Sequence, residues 1–244
     1  STGMYNFVPI NDNLAKHSLV SDNLVLSDDG ELTYEDSGTV LSNKGIDVSR
    51  YQGNIDWNKV KADGVNYAFI RVGLRGYKTG EINIDEKFEA NIKGAHAAGV
   101  KVGVYFFSQA INVEEAIEEA EFVIEQLEPY ADMVDYPVVI DVEKISSGDG
   151  RMNNLTREER TQIVQAFCER IEDEGYTPMI YGNLEMFGLL LDMESLEKYE
   201  KWYANYDPTL LYFPYDFKVW QYSDTGTVDG IKGDVDLNIS FKEW

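Results

Sequence analysis

Two carboxylates follow a short apolar run near the middle of the chain, in the segment "VVIDVEK" at residues 138–144. Asp141 and Glu143 are separated by one valine, and residues two apart on a β-strand point to the same face. Both side chains would therefore enter one pocket at the end of a buried strand. Carboxylates held this close repel each other, and burial adds to the effect, so at least one keeps its proton near neutral pH. A protonated carboxyl group of this kind can serve as a general acid.

Two further acidic residues are expected at the same place. The segment "GIDVSRYQG" places Asp47 at the end of the first strand of a sheet, and "VDLN" places Asp236 on its last strand. These strands would be neighbours if the sheet closes into a barrel, and four carboxylates would then converge. An acid at a strand end is more often a helix cap or a salt-bridge partner, and Asp-x-Glu alone is a weak motif. It is the joint placement that favours catalysis.

The remaining polar residues argue against several other chemistries. The histidines, His17 and His96, lie away from the predicted strand ends, which leaves none for a serine triad or a transition-metal cluster. The acids lack the ligand spacing of Mg²⁺ or Ca²⁺ sites, and the glycines of "GLRGYKTG" do not form a phosphate-binding fingerprint. We therefore predict no metal and no cofactor.

Aromatic side chains are frequent at or near the predicted strand ends. Sugar rings stack on such surfaces, so a carboxylate cluster with an aromatic rim indicates a glycan substrate. Aromatic residues in strands are more often core, and side chains alternate between faces, so about half of this set should line the cleft. The candidate substrate-binding residues are Tyr105, Phe107, Tyr181, Trp202, Tyr203, Trp220 and Gln221.

The pattern of apolar runs from Lys44 onward predicts an α/β fold. Helices are predicted over 84–98, over 113–127, and from a capping box at Thr156 to a C-cap before Gly175. Strands alternating with helices indicate a mainly parallel sheet, and after residue 178 the strands follow one another with little helix between. We expect a barrel with an irregular or partly antiparallel second half and catalytic groups at the strand C-termini. The eight predicted strands are "KGIDVS", "YAFIRVG", "VGVYFFS", "PVVIDVE", "PMIYG", "KWYANY", "FKVWQYS" and "DVDLN".

Residues 1–43 have a different pattern, and we assign them to a short N-terminal extension. The segment "NLVLSDDGELTYE" contains two short alternating runs joined by Asp28-Asp29-Gly30, a turn sequence typical of a β-hairpin. We place a boundary before Lys44, so that residues 44–244 form the catalytic barrel.

The charge of the chain limits its partners. The 244 residues include 21 basic and 44 acidic ones, a formal net charge of −23, which opposes the counterion release that drives nucleic-acid binding. No apolar stretch is long enough for a membrane span, and the first residues lack the pattern of a signal peptide. We predict no nucleic-acid partner and no membrane span in this chain.

Several separated motifs resemble glycoside hydrolase family 25, the Chalaropsis-type lysozymes. The resemblance covers residues 44–240 in the family's order and includes "GIDVSRYQGNIDW", "YAFIRVG", "GVYFFS", "VVIDVE", "PMIYGN", "WYANY" and "VWQYSDTGTVDGIKGDVDLN". It implies a TIM-like flattened (β/α)₅(β)₃ barrel and a bacteriolytic, secreted or phage-type muramidase. Such an enzyme cleaves the β-1,4 bond between N-acetylmuramic acid and N-acetylglucosamine. Its partner would be the peptidoglycan glycan strand, its place extracellular or cell-wall associated, and we expect a monomer.

The resemblance also implies roles for the acids. Glu143 matches the family's catalytic acid and would protonate the leaving oxygen, while Asp141 orients the substrate's acetamido group or stabilises positive charge at the sugar carbon. Asp47 and Asp236 match the other acids of the site. The acetamido group, a carboxylate and a water molecule remain alternative nucleophiles. The family's usual Tyr-His-Phe in the third strand is here residues 105–107, Tyr-Phe-Phe, which leaves the fine substrate preference open.

Two other functions fit part of this pattern. A chitinase-like hydrolase also uses acids at a strand end and a substrate acetamide, but "VVIDVE" lacks the longer Asp-x-x-Asp-x-Asp-x-Glu series. A catalytically inactive wall-binding module on the same scaffold predicts that murein binding survives Glu143→Gln with no activity to lose. The retention of all four acids favours the enzyme.

Overall fold

The computed structural model describes residues 7–208 and 211–244. Its N-terminal part forms a three-stranded antiparallel sheet of β1 (Leu24–Leu26), β2 (Leu32–Asp36) and β3 (Thr39–Val40). Gly30 has a φ of 86° in the turn between β1 and β2, and Ser27 donates a hydrogen bond to Asp29 beside it. The Asp-Asp-Gly segment therefore lies at a hairpin turn. The domain boundary before Lys44 stays a prediction.

The larger sheet closes into a barrel of eight strands, and a ninth, β6, pairs with β5 outside the ring. The first seven barrel strands run parallel, and β12 is antiparallel to both β11 and β4. The C-terminal ends of the seven strands therefore meet at one rim, and the predicted α/β barrel is confirmed. The strands are β4 (Asn43–Val48), β5 (Tyr67–Arg75), β6 (Ile82–Ile84), β7 (Lys101–Phe107), β8 (Val134–Asp141), β9 (Pro178–Asn183), β10 (Glu200–Ala204), β11 (Val219–Gly226) and β12 (Val235–Ser240).

Helices accompany the first part of the barrel. They are α1 (Trp57–Ala62), α2 (Phe88–Ala97), α3 (Val113–Leu127) and α4 (Arg157–Asp173), with 3₁₀ turns at Ser21–Asn23, Arg50–Gln52 and Glu128–Met133. The predicted capping box begins α4, because Thr156 Oγ1 accepts from Glu159 N at 3.1 Å and Glu159 Oε1 accepts from Thr156 N at 3.0 Å. A π-helical turn, Met186–Leu190, follows β9, and none of the described residues between β10 and β12 is helical.

The helix predicted to begin at Ile84 begins at Phe88 instead. Ile84 is the last residue of β6 and pairs with Gly73 of β5. Asp85 then forms a turn in which its Oδ1 accepts from Lys87 N at 2.8 Å. Strand pairing and this turn therefore override the helical spacing of the apolar residues before Phe88.

The alternation of side chains along the strands produces two apolar layers. Outward side chains pack against the helices in the main core, and inward side chains fill the barrel. Gly45 and Gly103 leave room for the inward rings, since a Cβ at either position would overlap Tyr67 or Phe69 respectively. The barrel therefore has a packed interior beneath the rim. The inward cluster consists of Tyr67, Phe69, Tyr136, Val139, Met179, Trp202 and Val219.

The N-terminal sheet packs against the opposite end of the barrel. Leu32 is buried, and the ring of Tyr34 meets that of Phe241 edge-to-face, with centroids 5.6 Å apart. Phe241 directly follows Ser240, which pairs with Asn43 at the start of β4. The sheet thus contacts the rim where the parallel strands begin, away from the acids at their ends.

Candidate active site

The four acidic residues meet at the rim formed by the C-terminal ends of the strands. Asp47 of β4 and Asp236 of β12 are register partners, and Asp141 is the last residue of β8. With Glu143, two residues further on, they line a cleft of about 350 Å³. The cleft is otherwise lined by Ser49, Tyr51, Gln52, Arg71, Tyr105, Phe107, Tyr181, Trp202 and Gln221.

Asp47 and Asp236 form one acid pair. Gln221 Nε2 donates to Asp47 Oδ2 at 2.8 Å and to Asp236 Oδ2 at 3.4 Å, and Asn238 Nδ2 donates to Asp47 Oδ2 at 2.9 Å. Burial raises the pKa of Asp47, although hydrogen bonds from Asp236, Asn238 and Gln221 oppose the shift. Burial, followed by the charge of Asp47 and the hydrogen bond with it, raises the pKa of Asp236 to about 10. Asp236 therefore keeps its proton at neutral pH and donates it to Asp47.

Asp141 and Glu143 form the second acid pair. Asp141 is buried, and Glu143 is half-buried. Burial, then the charge of Glu143 and a hydrogen bond with it, raises the pKa of Asp141 well above its ordinary value, while Arg71 opposes the shift. Apart from Glu143, no described residue supplies a hydrogen bond to Asp141 Oδ1. Burial and the nearby charge of Glu143 therefore favour the protonated form of Asp141.

Gln221 connects the first pair to the hydroxyl groups of two tyrosines. Its Oε1 accepts from Tyr181 OH at 2.7 Å and from Tyr206 OH at 2.8 Å. Because two phenols occupy the acceptor end of the amide, the donor end faces Asp47 and Asp236. The amide thus stabilises the ionised form of Asp47.

Trp202 forms part of the floor of the cleft. Its ring stacks on Phe69 with centroids 4.5 Å apart and meets Tyr181 edge-on at 4.7 Å. Its Nε1 donates to Asn238 Oδ1 at 2.7 Å, which orients Asn238 Nδ2 toward Asp47. A buried aromatic ring therefore fixes the position of a cleft carboxylate through one amide.

The described ranges, 7–208 and 211–244, contain no group of three or more His, Cys, Asp or Glu residues arranged to hold a metal ion. None of the helices in those ranges has the length and apolar character needed to cross a membrane.

The family model described as glycosyl hydrolases family 25 matches residues 46–231. The chain belongs to this family. Lysozyme M1 of Streptomyces globisporus is 29% identical to this family 25 chain over 202 residues, which cover 80% of the chain and 66% of lysozyme M1. The resemblance inferred from the motifs is therefore confirmed.

Solved structures of two related proteins share the fold. The modular autolysin LytC of Streptococcus pneumoniae, in complex with a synthetic peptidoglycan ligand, has a TM-score of 0.75 and 26% identity, covering 89% of this chain and 52% of LytC. A family 25 glycosyl hydrolase of Bacillus anthracis has a TM-score of 0.69 and 26% identity, covering 82% of this chain and 89% of that one. The family 25 chain thus spans about two thirds of lysozyme M1 and about half of LytC.

The structure divides the predicted substrate-binding residues of this family 25 barrel into two groups. Tyr105, Phe107, Tyr181, Trp202 and Gln221 line the cleft. Tyr203 and Trp220 do not, and this part of the prediction is corrected. Because Trp202 faces inward, its neighbour Tyr203 faces outward, where it stacks on Phe213 with centroids 4.8 Å apart. Trp220 is the register partner of Tyr203, and both are fully buried in the outer core.

Phe106, which replaces the family's usual histidine, also faces away from the cleft. It is fully buried, and its ring centroid lies 5.9 Å from that of Phe122 in α3. Phe106 therefore packs between the sheet and the helix and does not line the cleft. It gives no reason to expect a different substrate preference.

Sequence reasoning missed several cleft residues. Arg71 had a signal, because it is a single charge within the apolar run "YAFIRV" and lies two positions after Phe69, on the same face. Ser49, Tyr51 and Gln52 follow closely after Asp47, and their side chains line the same cleft. Nearness to the first predicted acid was the available signal for these three residues.

Proposed function

We propose that this family 25 chain is a peptidoglycan hydrolase that cleaves the β-1,4 bond between N-acetylmuramic acid and N-acetylglucosamine. The observation that carries the proposal is that Asp141 and Glu143 meet a second acid pair, Asp47 and Asp236, in one cleft lined with aromatic residues. The similarity to lysozyme M1 and to LytC with its peptidoglycan ligand supports the choice of glycan.

Glu143 acts as the general acid. It is the less buried member of its pair, so the glycosidic oxygen of a bound strand reaches it before Asp141. Its proton moves to that oxygen as the bond from the oxygen to the anomeric carbon breaks. Water supplies the hydroxyl of the new reducing end, and its remaining proton restores the acid.

Asp141 engages the acetamido group of the sugar on the other side of the bond. Its Oδ1 has no described partner other than Glu143, so a substrate amide can hydrogen-bond there. This contact would hold the acetamido oxygen beside the anomeric carbon, where it can act as the nucleophile. Asp47 contributes negative charge as positive charge develops at that carbon, and Asp236 keeps Asp47 in place through their hydrogen bond.

The acetamido route has a stereochemical test. Attack by the acetamido oxygen followed by water gives net retention at the anomeric carbon, whereas direct attack by water gives inversion. Nuclear magnetic resonance of freshly cleaved murein fragments would distinguish the anomers. Retention together with an Asp141→Asn loss of about 10²-fold in kcat is expected for an assisting group. Inversion would contradict the acetamido route while leaving Glu143 as the acid.

The place of action follows from the proposed substrate. Peptidoglycan lies outside the cytoplasmic membrane, so we propose that the chain acts on the cell wall or in the extracellular space, as a monomer. Glycan strands are its partner in this proposal. The net charge of −23 is in keeping with a polymer that is not a nucleic acid.

The deciding experiment is the release of reducing ends from purified peptidoglycan, with the freed sugar identified after borohydride reduction. We expect muramitol from the wild-type chain and none from Glu143→Gln. Glu185→Gln is the matched control, because Glu185 is an acid paired with Lys144 and does not line the cleft. Glucosaminitol would show cleavage of the other glycosidic bond. Cleavage of chitin without murein would indicate the chitinase-like alternative, and binding of murein without product would indicate a wall-binding module.

A further inference from the structure

Among the described residues that line the cleft, Arg71 is the basic one, and it faces four acids. It lies on β5 two positions after Phe69, on the inward face of the barrel. A carboxylate or carbonyl oxygen of a ligand would be repelled by the acids around it. Arg71 is therefore the group of this lining best suited to receive such an oxygen.

The guanidinium of Arg71 is held in one orientation by Asp85. Arg71 Nε donates to Asp85 Oδ2 at 2.8 Å. Asp85 is itself buried and accepts hydrogen bonds from the backbone N–H groups of Arg50 at 3.1 Å and Lys87 at 2.8 Å. Because the guanidinium is planar, fixing Nε also fixes the directions of the other N–H groups before a ligand arrives.

Nη2 of Arg71 has no partner within the described chain. The residue is 8% exposed, and no described acceptor lies within hydrogen-bond distance of Nη2. A buried charged donor without an acceptor is unfavourable. A ligand oxygen at the cleft would supply the missing acceptor.

Tyr51 offers an exposed ring beside Arg71. The residue is 74% exposed, and the guanidinium carbon of Arg71 lies 5.5 Å from the ring centroid. The guanidinium carbon of Arg50 lies 5.0 Å from the same centroid, but Arg50 does not line the cleft. A sugar that brings an oxygen to Arg71 can therefore rest against the ring of Tyr51.

We propose that Arg71 is a specificity-determining residue that donates a hydrogen bond to the acyl oxygen of the lactyl group on N-acetylmuramic acid, with Tyr51 against the same sugar. This inference rests on the proposed function. N-acetylglucosamine polymers lack the lactyl group, so the contact would separate murein from chitin. The oxygen is a carboxylate in glycan stripped of peptide and an amide carbonyl in glycan that carries its stem, and a guanidinium binds both.

The test measures binding in the Glu143→Gln background, so that the ligands stay intact. Calorimetric titration compares three tetrasaccharides: alternating murein glycan with free lactyl carboxylates, the same glycan with peptide stems, and chitotetraose. Arg71→Lys keeps the charge but loses the planar donor geometry, and Arg50→Lys is the control beside the same ring. We expect Arg71→Lys to lower the affinity for both lactyl-bearing ligands about 10-fold and the affinity for chitotetraose less than about 2-fold. Arg50→Lys should change the binding of all three ligands by the same factor of less than about 2, because its contact is with the ring of Tyr51.

The outcomes distinguish a direct contact between Arg71 and the lactyl oxygen from a purely structural role of Arg71. A larger loss on the stripped glycan identifies the carboxylate as the oxygen bound, and a larger loss on the stem-bearing glycan identifies the amide carbonyl. Equal losses on all three ligands, no loss on any, or no preference of the parent for lactyl-bearing glycan would overturn the proposal. Thermal unfolding is measured on each variant, and Arg71→Gln replaces a variant that fails to fold. Failure of the proposed function would appear separately, as no muramitol from the wild-type chain.

Discussion

The two acid pairs of the cleft are alike in composition but differ in their surroundings. Asp47 and Asp236 lie on adjacent strands and are bonded to the side-chain amides of Gln221 and Asn238. Asp141 has a hydrogen bond with Glu143, and its Oδ1 is buried without a partner among the described residues. The protein supplies hydrogen-bond partners to the first pair, whereas the second pair has hydrogen-bonding capacity left for the substrate.

This difference shows how a crowded acidic site can be both stable and reactive. Hydrogen bonds to Asp47 stabilise a buried charge that would otherwise oppose folding. The pair with fewer partners contains Asp141, whose pKa is raised by burial and by the charge of Glu143, and Glu143 itself, which acts as the acid in the proposed reaction. Substitutions in the first pair and its amides should therefore affect stability most, and substitutions in the second should affect turnover most.

Glu143→Gln should have the largest effect on turnover. The amide cannot deliver a proton, so we expect kcat to fall by about 10³-fold, within the usual contribution of a general acid. Because Glu143 is half-buried and no side-chain amide among residues 7–208 and 211–244 donates a hydrogen bond to it, the free energy of unfolding should change by less than about 1 kcal/mol. Initial rates on solubilised murein give kcat, and urea unfolding gives the free energy of unfolding. A large loss of stability with a small loss of kcat would reverse the assignment of the pairs.

Asn238→Ala should have the opposite effects, a large loss of stability and a small loss of turnover. It removes a donor to Asp47 and the acceptor for Trp202 Nε1, both of them buried, so we expect a loss of about 3 kcal/mol in the free energy of unfolding. Urea unfolding followed by tryptophan fluorescence measures it. Asn58→Ala on the exposed side of α1 is the control and should change stability by less than about 0.5 kcal/mol. Equal effects of the two variants would contradict the role given to the amide.

Asp236→Asn tests the proton held in the first pair. The raised pKa of Asp236 means that the folded chain binds more protons than the unfolded chain between the ordinary carboxyl pKa and about 10. This contribution to stability is complete at acid pH and is lost as pH rises toward about 10. We expect the wild type to lose about 5 kcal/mol more than Asp236→Asn between pH 5 and 9, because one extra bound proton lowers stability by about 1.4 kcal/mol per pH unit and the amide cannot ionise. Parallel pH profiles of urea unfolding for the two proteins would show that Asp236 is ionised in the folded state.

The smallest effect is expected from two tyrosines on opposite faces of the sheet. Tyr181→Phe removes a donor to Gln221 and should lower kcat/KM about 5-fold through the loosened amide. Tyr203→Phe removes a hydroxyl from the outer core and should leave kcat/KM within about 2-fold. Steady-state rates on murein compare them. A larger loss in Tyr203→Phe would mean that the outer core influences the cleft.

Much of the barrel could be predicted because the signals are local. Each of the eight predicted strands overlaps a barrel strand, and the helix over 113–127 matches α3 residue for residue. The predicted capping box begins α4. The start of α2 could not be predicted, because Ile84 joins β6 and the decisive contact is with Gly73 on another strand.

Side-chain alternation predicted that about half of the aromatic residues would face the cleft but could not assign each one. Trp202 and Tyr203 are adjacent, so one had to face inward, and the sequence contains nothing that says which. The choice depends on what each ring meets. Trp202 finds Phe69 and Asn238 in the barrel interior, and Tyr203 finds Phe213 outside.

The sequence by itself determined the order of strands and helices, the four acids at strand ends, and the placement of Asp141 and Glu143 together, because these follow from spacing within a few residues. Only the tertiary structure decided that Gln221 and Asn238 hold Asp47, that Asp85 orients Arg71, and that Asp236 keeps a proton. The physical reason is that burial and hydrogen-bond partners come from distant parts of the chain. Gln221, for example, lies 174 positions after Asp47 in the sequence. Those distant neighbours determine which carboxyl groups are charged.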